Sequence, residues 1–567
     1  MRTPLRSMTI AAATVLLTAP ALTTAALGAS APAVQDLSAA PTQVGTASHP
    51  RGPLPGGFKN FVVIYQENHS FDNLYGRWGK VGRDRVDGLE SAPRSTSRQV
   101  KQNGQAYRCL PQTDVNLAGV EPKSCTGDPD VGPSAFTNHP FTIEDYIKPS
   151  DKTCAAPGTK DPATGVPKNS PGAVAGGCTS DMVHRFYTEQ YQLNGGAMNR
   201  YVTGSDAAGL VMGHYDTRTL PIYRYLHERG APNYVIADRF FAAAFGGSFL
   251  NHQFLISARA PLDTSAGAMG AKTSVVDANG MAAKTTMYTP TTTDVVDGQL
   301  TKKCTDGSND RAAACGNFAV NTTQPGAAPF GKGAQLPLID NAQFPNIGDR
   351  LSAKGVSWAW YAGGWDDAAA GKPGPLFQFH HQPFAYFKNT APGAPGRDHL
   401  QDETKFLSAA KSGTLPAVSF VKPYGESNEH PGYASATDGS EHLVTLLKAV
   451  MNSPQADDTL VVVTYDEFGG QWDHVPPPGQ GTSTKGVSDA WGPGTRIPAL
   501  VLSKRMTRSG VDSTVYDTTS ILATPGEELR PRAAVLPRRP CRAAGQRGRQ
   551  GHEGAPAPRA PPALSAA

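Results

Sequence analysis

Two groups of metal-ligand side chains directly follow apolar runs of the chain. Glu67 and Asn68 come after the run at 61–65, and an Asp-Glu pair at 466–467 comes after a similar run. Three carboxylates and an amide oxygen form a hard oxygen site that suits a divalent cation, whose identity the sequence leaves open. Either group alone also fits ordinary loop carboxylates that cap a following helix. The presence of both favours the metal site.

The two groups are about 400 residues apart in sequence, and a parallel sheet would bring them together. The run at 460–465 is nearly continuous in apolar residues, which is typical of a strand buried on both faces. Ligands of an open parallel sheet bind at the carboxyl ends of its strands. We therefore expect Asp466 and Glu467 to lie beside Glu67 and Asn68.

A serine that follows two glycines is the third candidate for chemistry. Gly246 and Gly247 allow a sharp turn after a predicted strand at 234–237, and Ser248 would then open a helix that continues to Ile256. Backbone N–H groups and the helix dipole at such a position favour a phosphate group. Taken alone, Ser248 also fits a plain helix N-cap.

The elements that must position these residues are strands that alternate with helical patterns. Six apolar runs are predicted strands, at residues 61–65, 234–237, 356–361, 417–421, 460–465 and 499–502. Several are continuous β-branched runs, as expected for parallel strands that are covered on both faces. The chain is therefore predicted to fold as a three-layer α/β/α sandwich with a mostly parallel central sheet.

One helix carries both a start and a stop signal. Asp438 and Glu441 have the spacing of a capping box ahead of the amphipathic run at 443–450, and Pro454 follows the run. We therefore predict a helix that has Asp438 as its cap and ends close to Asn452.

Two long stretches of low periodicity, about 88–180 and 260–340, interrupt this pattern and are predicted insertions on one face of the sheet. They hold six of the seven cysteines, and these six leave the connectivity open. A zinc site is the alternative, but the sequence has no CxxC pair. Short loop closure favours sequential disulfides, with Cys541 left over. The expected pairs are Cys109–Cys125, Cys154–Cys178 and Cys304–Cys315.

The first residues have the layout of a secretory signal peptide. Arg2 and Arg6 precede an apolar run at 8–27 and a cluster of small residues, so residues 1–31 are expected to be removed on export. Residues 32–57 are rich in Pro, Ala, Gly and Ser and are predicted to form a flexible lead-in. A retained membrane anchor is the alternative, although Thr and Pro interrupt the run. We expect a secreted, extracellular protein without a stable membrane anchor, in an oxidising setting that allows disulfides.

The net charge of +4 is carried by the two ends of the chain. Residues 525–567 hold eight Arg and three Glu, and Arg2 and Arg6 add two charges, which leaves −3 for the remainder. A mildly acidic remainder argues against nucleic acid as a partner. Of the last 43 residues, 31 are Ala, Pro, Arg or Gly. This composition favours a GC-rich gene read in a shifted frame, and a genuine basic, disordered tail is the alternative.

Six motifs together resemble the phosphoesterase family of bacterial phospholipases C and acid phosphatases. They occur in the family's order within residues 58–524, the predicted catalytic domain. The motifs are residues 67–72, 213–221, the Gly247-Ser248 turn, 380–384, 429–431 and 465–475. The family is similar in fold to the alkaline phosphatase superfamily, so the resemblance implies the same sandwich that the strand pattern predicts.

The resemblance also implies roles for single residues. Glu67, Asn68, Asp466 and Glu467 would be ligands of one or more divalent metal ions, and Ser248 would be the nucleophile that touches the metal. Metal coordination would lower the pKa of the Ser248 hydroxyl, and its attack on a phosphate ester would form a phosphoseryl intermediate.

Two histidines in the motifs, His381 and His430, are candidates for a second role. A side chain that titrates near neutral pH can hydrogen-bond a phosphoryl group or protonate the leaving alkoxide. Weaker candidates are His214, His252, His380 and His474. His474 fits equally well as a brace for the neighbouring glycine loop.

Three functions remain open at this point. The Gly-Gly-Ser turn resembles the acid phosphatase branch, because the phospholipases C tend to carry Thr at this position. The leading prediction is therefore a secreted, metal-dependent hydrolase of small phosphate monoesters. The second is a phospholipase C that cleaves phospholipid phosphodiesters. The third is a non-catalytic exported binding protein on the same scaffold, and the sequence leaves the oligomeric state open.

Overall fold

A computed structural model describes most of the chain between Gly57 and Thr524. The described residues are 57–111, 125–126, 131, 134, 136–145, 147–151, 181–263, 318–480 and 484–524. Their strands are β1 (Asn60–Gln66), β2 (Lys80–Val81), β3 (Asp84–Arg85), β4 (Phe141–Thr142), β5 (Gly213–His214), β6 (Tyr234–Ala237), β7 (Phe240–Phe241), β8 (Trp358–Ala362), β9 (Leu400–Asp402), β10 (Val418–Lys422), β11 (Thr459–Tyr465), β12 (Ala499–Leu502), β13 (Gly510–Asp512) and β14 (Tyr516–Asp517). Their α-helices are α1 (Phe71–Leu74), α2 (Arg94–Ser97), α3 (Phe186–Leu193), α4 (Pro221–His227), α5 (Ser248–Ser257), α6 (Ile347–Ala353), α7 (Trp365–Ala369), α8 (Glu403–Ser412), α9 (Ala436–Met451) and α10 (Ser520–Ala523).

Eight of these strands form the central sheet, in the order β13-β6-β12-β11-β1-β10-β8-β9. Five of the seven neighbouring pairs are parallel, and β12 runs antiparallel to both of its neighbours. The sheet is therefore mostly parallel, as the strand pattern predicted.

The two central strands are covered on both faces. Every residue of β1 and β11 is buried. The Tyr65 hydroxyl donates to the carbonyl of Asn251 in α5 at 3.4 Å, whereas the Gln66 amide donates to the carbonyl of Gly439 in α9 at 3.5 Å. Successive side chains of a strand point to opposite faces, so α5 and α9 lie on opposite sides of the sheet. This arrangement confirms the predicted three-layer sandwich.

All six predicted strands lie in this sheet. The strand predicted at 356–361 begins two residues later, at Trp358, and the others agree to within one or two residues. The prediction missed β9 and β13, which have three residues each and form the two edges of the sheet. Such short strands carry too few residues for a periodic pattern.

The helix that was predicted to have Asp438 as its cap begins earlier than expected. The N-cap of α9 is Ser435, whose hydroxyl accepts from the N–H of Asp438 at 2.9 Å. Asp438 therefore lies in the first turn, where its negative charge complements the helix dipole. The predicted end is correct, because Asn452 is the C-cap.

One of the three predicted disulfides lies within the described residues. Cys109 and Cys125 are bonded, with their Cα atoms 5.7 Å apart, which confirms that pair. The other five cysteines lie outside the described residues, as do residues 1–56 and 525–567, so the predictions made for them stay predictions. Within the ranges that the structure describes, no helix is both long and apolar enough to cross a membrane.

Candidate active site

The carboxyl ends of β1 and β11 place Glu67 and Asp466 side by side. Gln66 pairs with Tyr465 in the parallel register, so Glu67 and Asp466 are the next residues on neighbouring strands. The Asp466 N–H donates to the Gln66 carbonyl at 3.1 Å, and the Asn68 N–H donates to Asp466 Oδ1 at 3.2 Å. The register thus joins two groups that are far apart in sequence.

Ser248 directs its hydroxyl into the same group. It is the first residue of α5, and the N-cap is Gly247, so the structure contradicts the plain N-cap interpretation of Ser248. Its Oγ lies 3.2 Å from Glu67 Oε2, 3.3 Å from Asn68 Oδ1 and 3.4 Å from Glu467 Oε1. A hydroxyl has one proton and can donate to only one of these three oxygens. The other contacts are between acceptors, an arrangement that a cation would stabilise.

The two histidines that the motifs singled out reach this group as well. His381 Nε2 is 3.0 Å from Glu67 Oε1. His430 Nδ1 lies 2.5 Å from the carbonyl of Pro431 and donates to it, so His430 Nε2 accepts from the Asn68 amide at 2.8 Å. The structure therefore brings together every residue of the predicted site, namely Glu67, Asn68, Ser248, His381, His430, Asp466 and Glu467.

His184, which no sequence motif predicted, also belongs to this group and contacts Asn68 and Glu467. Its Nε2 is 3.4 Å from Glu467 Oε1 and 3.4 Å from the Asn68 amide nitrogen. Its Nδ1 is held at 2.5 Å by the carbonyl of Met182. His184 ends a long stretch without periodicity, so only the fold reveals its position.

Lys422, the last residue of β10, is a further member of the site that no sequence motif predicted. Its buried ammonium group forms an ion pair with Glu67 Oε1, donates to the Gln66 carbonyl at 3.2 Å and lies 5.1 Å from the centre of the Tyr65 ring. A lysine that ends a mostly apolar strand, just as Glu67 follows β1, is a sequence signal that could have identified Lys422.

The weaker histidine candidates divide between the site and its surroundings. His252 Nδ1 lies 2.7 Å from the Ser248 carbonyl and 3.7 Å from Asp466 Oδ2, and its ring stacks on that of His381 at 5.2 Å. The His380 ring is 4.6 Å from the His381 ring. His214 lies in β5, and its Nδ1 is 3.4 Å from the Tyr215 carbonyl.

The model of the phosphoesterase family matches residues 58–527 of this chain. The chain belongs to the phosphoesterase family. Similar proteins include the non-hemolytic phospholipase C of Burkholderia pseudomallei, with 30% identity over 32% of this chain and 28% of that protein. Phospholipase C B of Mycobacterium tuberculosis is 24% identical over 58% of this chain and 56% of that protein. The matches thus span about a quarter to a half of these relatives' lengths.

Among solved structures, a protein in the alkaline phosphatase superfamily from Vibrio parahaemolyticus is similar at a TM-score of 0.19 and 14% identity, over 32% of this chain and 46% of that chain. A TM-score of this size does not establish a shared fold.

Burial shapes the electrostatics of the phosphoesterase site. Burial, and then the negative charge of Glu67, raise the pKa of Asp466 to about 7. Burial and the neighbouring Asp466 raise the pKa of Glu467 well above its ordinary value. Burial lowers the pKa of His381 and His430 well below the usual range, so both rings are neutral at neutral pH. Asp466 and Glu467 therefore compete for negative charge in a buried space where His381 and His430 contribute no positive charge.

The residues of the site fit a divalent cation. Asp466 Oδ2 is buried and has no hydrogen-bond partner among the described residues. Three carboxylates and the Asn68 amide oxygen supply the hard donors that such ions prefer. Glu67, His252 and His381 also place one ligand atom each within 4.8 Å of one another. A cation bound here would relieve the repulsion that raises the carboxyl pKa values.

His474 belongs to a buried network of charged side chains. Its Nδ1 is 2.7 Å from Asp72 Oδ2, and its Nε2 is 3.2 Å from Asp87 Oδ1. Despite burial, these carboxylates raise the pKa of His474 to about 9. The buried Arg496 joins the same network, with Nε 3.1 Å from Asp473 Oδ1. This network ties the segment after β1 to the segment after β11, and the bracing of the Gly469-Gly470 loop by His474 stays a prediction.

Proposed function

We propose that this chain hydrolyses phosphoric esters, with Ser248 as the nucleophile. The observation that carries the proposal is the position of Ser248 Oγ, 3.2 to 3.4 Å from Glu67, Asn68 and Glu467 at the start of a buried helix. Membership of the phosphoesterase family and relatives named as phospholipases C support the same class of substrate.

A divalent cation would be held by Glu67, Asn68, Asp466 and Glu467, in contact with Ser248. When bound, it would lower the pKa of the hydroxyl and neutralise charge on a phosphoryl oxygen. The chain's own contribution is to hold Ser248 at the N-terminus of α5, where backbone N–H groups and the helix dipole favour an incoming phosphate.

The reaction would proceed in two displacements. The Ser248 hydroxyl passes its proton to a facing carboxylate, its oxygen attacks phosphorus, the bond to the alcohol oxygen breaks, and the leaving alkoxide takes a proton. Water then attacks phosphorus in the phosphoseryl group, the bond to the serine oxygen breaks, and that oxygen takes a proton, which releases phosphate and restores Ser248. An anionic phosphate beside His381 and His430 favours their protonated forms, so the substrate itself creates the condition in which these rings donate a proton.

The substrate that we propose is a small phosphate monoester. The Gly-Gly-Ser turn that precedes α5 supports it, through its resemblance to the acid phosphatase branch. The names of the relatives favour a second candidate, a phospholipase C acting on phospholipid diesters. We also propose that the protein is secreted, on the signal-peptide layout of its first residues.

A substrate panel separates these candidates. We expect purified protein to hydrolyse p-nitrophenyl phosphate faster than bis(p-nitrophenyl) phosphate or phosphatidylcholine, and a chelator to abolish turnover until a divalent ion is restored. Faster release of phosphocholine from phosphatidylcholine would instead identify a phospholipase C. Absence of turnover on all three substrates in metal-loaded, folded protein would contradict the enzymatic proposal and leave the exported binding protein.

A further inference from the structure

The turn that presents Ser248 lies tightly against the start of α3. Gly246 has a φ of 89°, and a Cβ atom at this position would lie 2.5 Å from the backbone nitrogen of Phe186. A Cβ atom on Gly247 would lie 3.1 Å from the carbonyl oxygen of His184. The position of the turn is therefore set by contact with the segment that also carries His184.

Glu189, on α3, binds this turn through its side chain. Its buried carboxylate accepts a hydrogen bond from the Gly246 N–H through Oε2 at 2.5 Å. Its other oxygen, Oε1, accepts from the N–H of Thr495 at 2.6 Å and from the Thr495 hydroxyl at 2.7 Å. One carboxylate thus joins the serine turn, helix α3 and the segment that leads into β12.

Both oxygens of Glu189 face backbone N–H groups, and this has a chemical consequence. A carboxylate has acceptor sites on both oxygens, whereas an amide has one oxygen and an NH₂ group that only donates. A glutamine at this position would therefore set its NH₂ group against the N–H of either Gly246 or Thr495. Only an acidic side chain satisfies both donors.

We propose that Glu189 is a positioning residue. It holds the Gly246-Gly247 turn so that Ser248 Oγ lies beside the site carboxylates, where it can attack the phosphorus of a bound ester. This inference rests on the proposed function. Displacing a reacting atom by about 1 Å can cost about 100-fold in rate. The Gly246 N–H donates to Glu189 two residues before the nucleophile, so loss of that hydrogen bond acts directly on the position of the nucleophile.

The test uses Glu189→Gln in the full chain, with Glu144→Gln as a matched control. Glu144 also accepts from a backbone N–H and a threonine hydroxyl, those of Asp216 and Thr219, each at 2.9 Å, but away from the serine turn. We expect Glu189→Gln to lower kcat on p-nitrophenyl phosphate by about 100-fold while KM changes less than about threefold. Glu144→Gln should stay within about twofold of the parent in both constants.

Two further measurements distinguish a loss of positioning of Ser248 from a loss of folded protein. The folded fraction of each variant, from its urea unfolding curve, corrects kcat for unfolded molecules. Hydrogen exchange at the amides of Gly246 and Thr495 should become about tenfold faster or more in Glu189→Gln, because one of the two backbone hydrogen bonds to this side chain is lost. If Glu189→Gln does not fold, Glu189→Asp keeps two acceptor oxygens on a shorter side chain, and its corrected kcat should fall by about tenfold at unchanged KM.

These measurements distinguish a failure of the positioning role from a failure of the proposed function. If the parent hydrolyses no ester, the proposed function fails, and the exchange measurement still tests whether Glu189 holds the turn. A parent enzyme that is active while folded Glu189→Gln keeps its corrected kcat within about threefold would overturn the positioning role alone. Unchanged exchange at Gly246 and Thr495 would overturn it as well.

Discussion

Glu67 uses its two carboxylate oxygens for different tasks. Oε1 faces the Lys422 ammonium group and His381, whereas Oε2 faces the Ser248 hydroxyl. Lys422 is fully buried, and its ammonium group contacts Glu67, the Gln66 carbonyl and the Tyr65 ring. Lys422 therefore fixes the orientation of Glu67 and offsets part of the negative charge of the site.

Lys422→Met should destabilise the metal-free protein by about 3 to 5 kcal/mol, because it leaves the buried Glu67 carboxylate without its ammonium partner. Lys405→Met is the matched control. Lys405 pairs with Asp366 at 3.0 Å on the surface, where an ion pair contributes about 0 to 1 kcal/mol to the free energy of unfolding. Urea unfolding in the presence of a chelator measures both. Equal losses in the two variants would contradict the role given to Lys422.

The residues of the site differ in how well their positions could be predicted from the sequence. Glu67 and Asp466 could be placed together because each directly follows a buried strand, and parallel strands share one edge for ligands. His184 could not, because it lies next to Asn68 only through the packing of α3 against the serine turn. Lys422 could have been predicted, since a charged residue that ends a buried strand needs a partner.

Helix α9 positions His430 through a glycine. Gly439 lies in the first turns of α9, and a Cβ atom there would come within 2.5 Å of the backbone nitrogen of Glu429, the residue before His430. Glycine normally argues against a helix interior, and the later start predicted for α9 came from the capping-box spacing of Asp438 and Glu441. The close approach of the His430 segment is a tertiary requirement that no local pattern shows.

Gly439→Ala should lower both stability and activity. Alanine favours the helix by about 1 kcal/mol, but the added methyl group would overpack the contact with Glu429, which typically costs about 1 to 3 kcal/mol. We expect a net loss of stability and a lower kcat as the His430 segment moves. Thr445→Ala, on the exposed face of the same helix, should change stability by less than about 0.5 kcal/mol. A Gly439→Ala protein more stable than the parent and fully active would refute this account.

At the scale of the whole molecule, the continuous apolar runs were sufficient to predict the sandwich and its mostly parallel sheet. The order of the strands could not be predicted from the sequence, because β1 pairs with β10 and β11, which lie more than 300 residues further along the chain. The antiparallel direction of β12 also depends on a connection rather than on its own residues. The signal peptide, the other disulfides and the origin of residues 525–567 stay predictions.

The central claim, attack by Ser248 on phosphorus, is tested most directly by trapping the intermediate. Metal-loaded enzyme mixed with p-nitrophenyl phosphate and quenched in acid should carry one phosphoryl group on the peptide that contains Ser248, as measured by peptide mass mapping. Ser248→Ala should carry none and show no turnover, whereas Ser257→Ala, at the other end of α5, should behave as the parent. Turnover by Ser248→Ala within tenfold of the parent, or a phosphoryl group trapped on a different residue, would contradict the account.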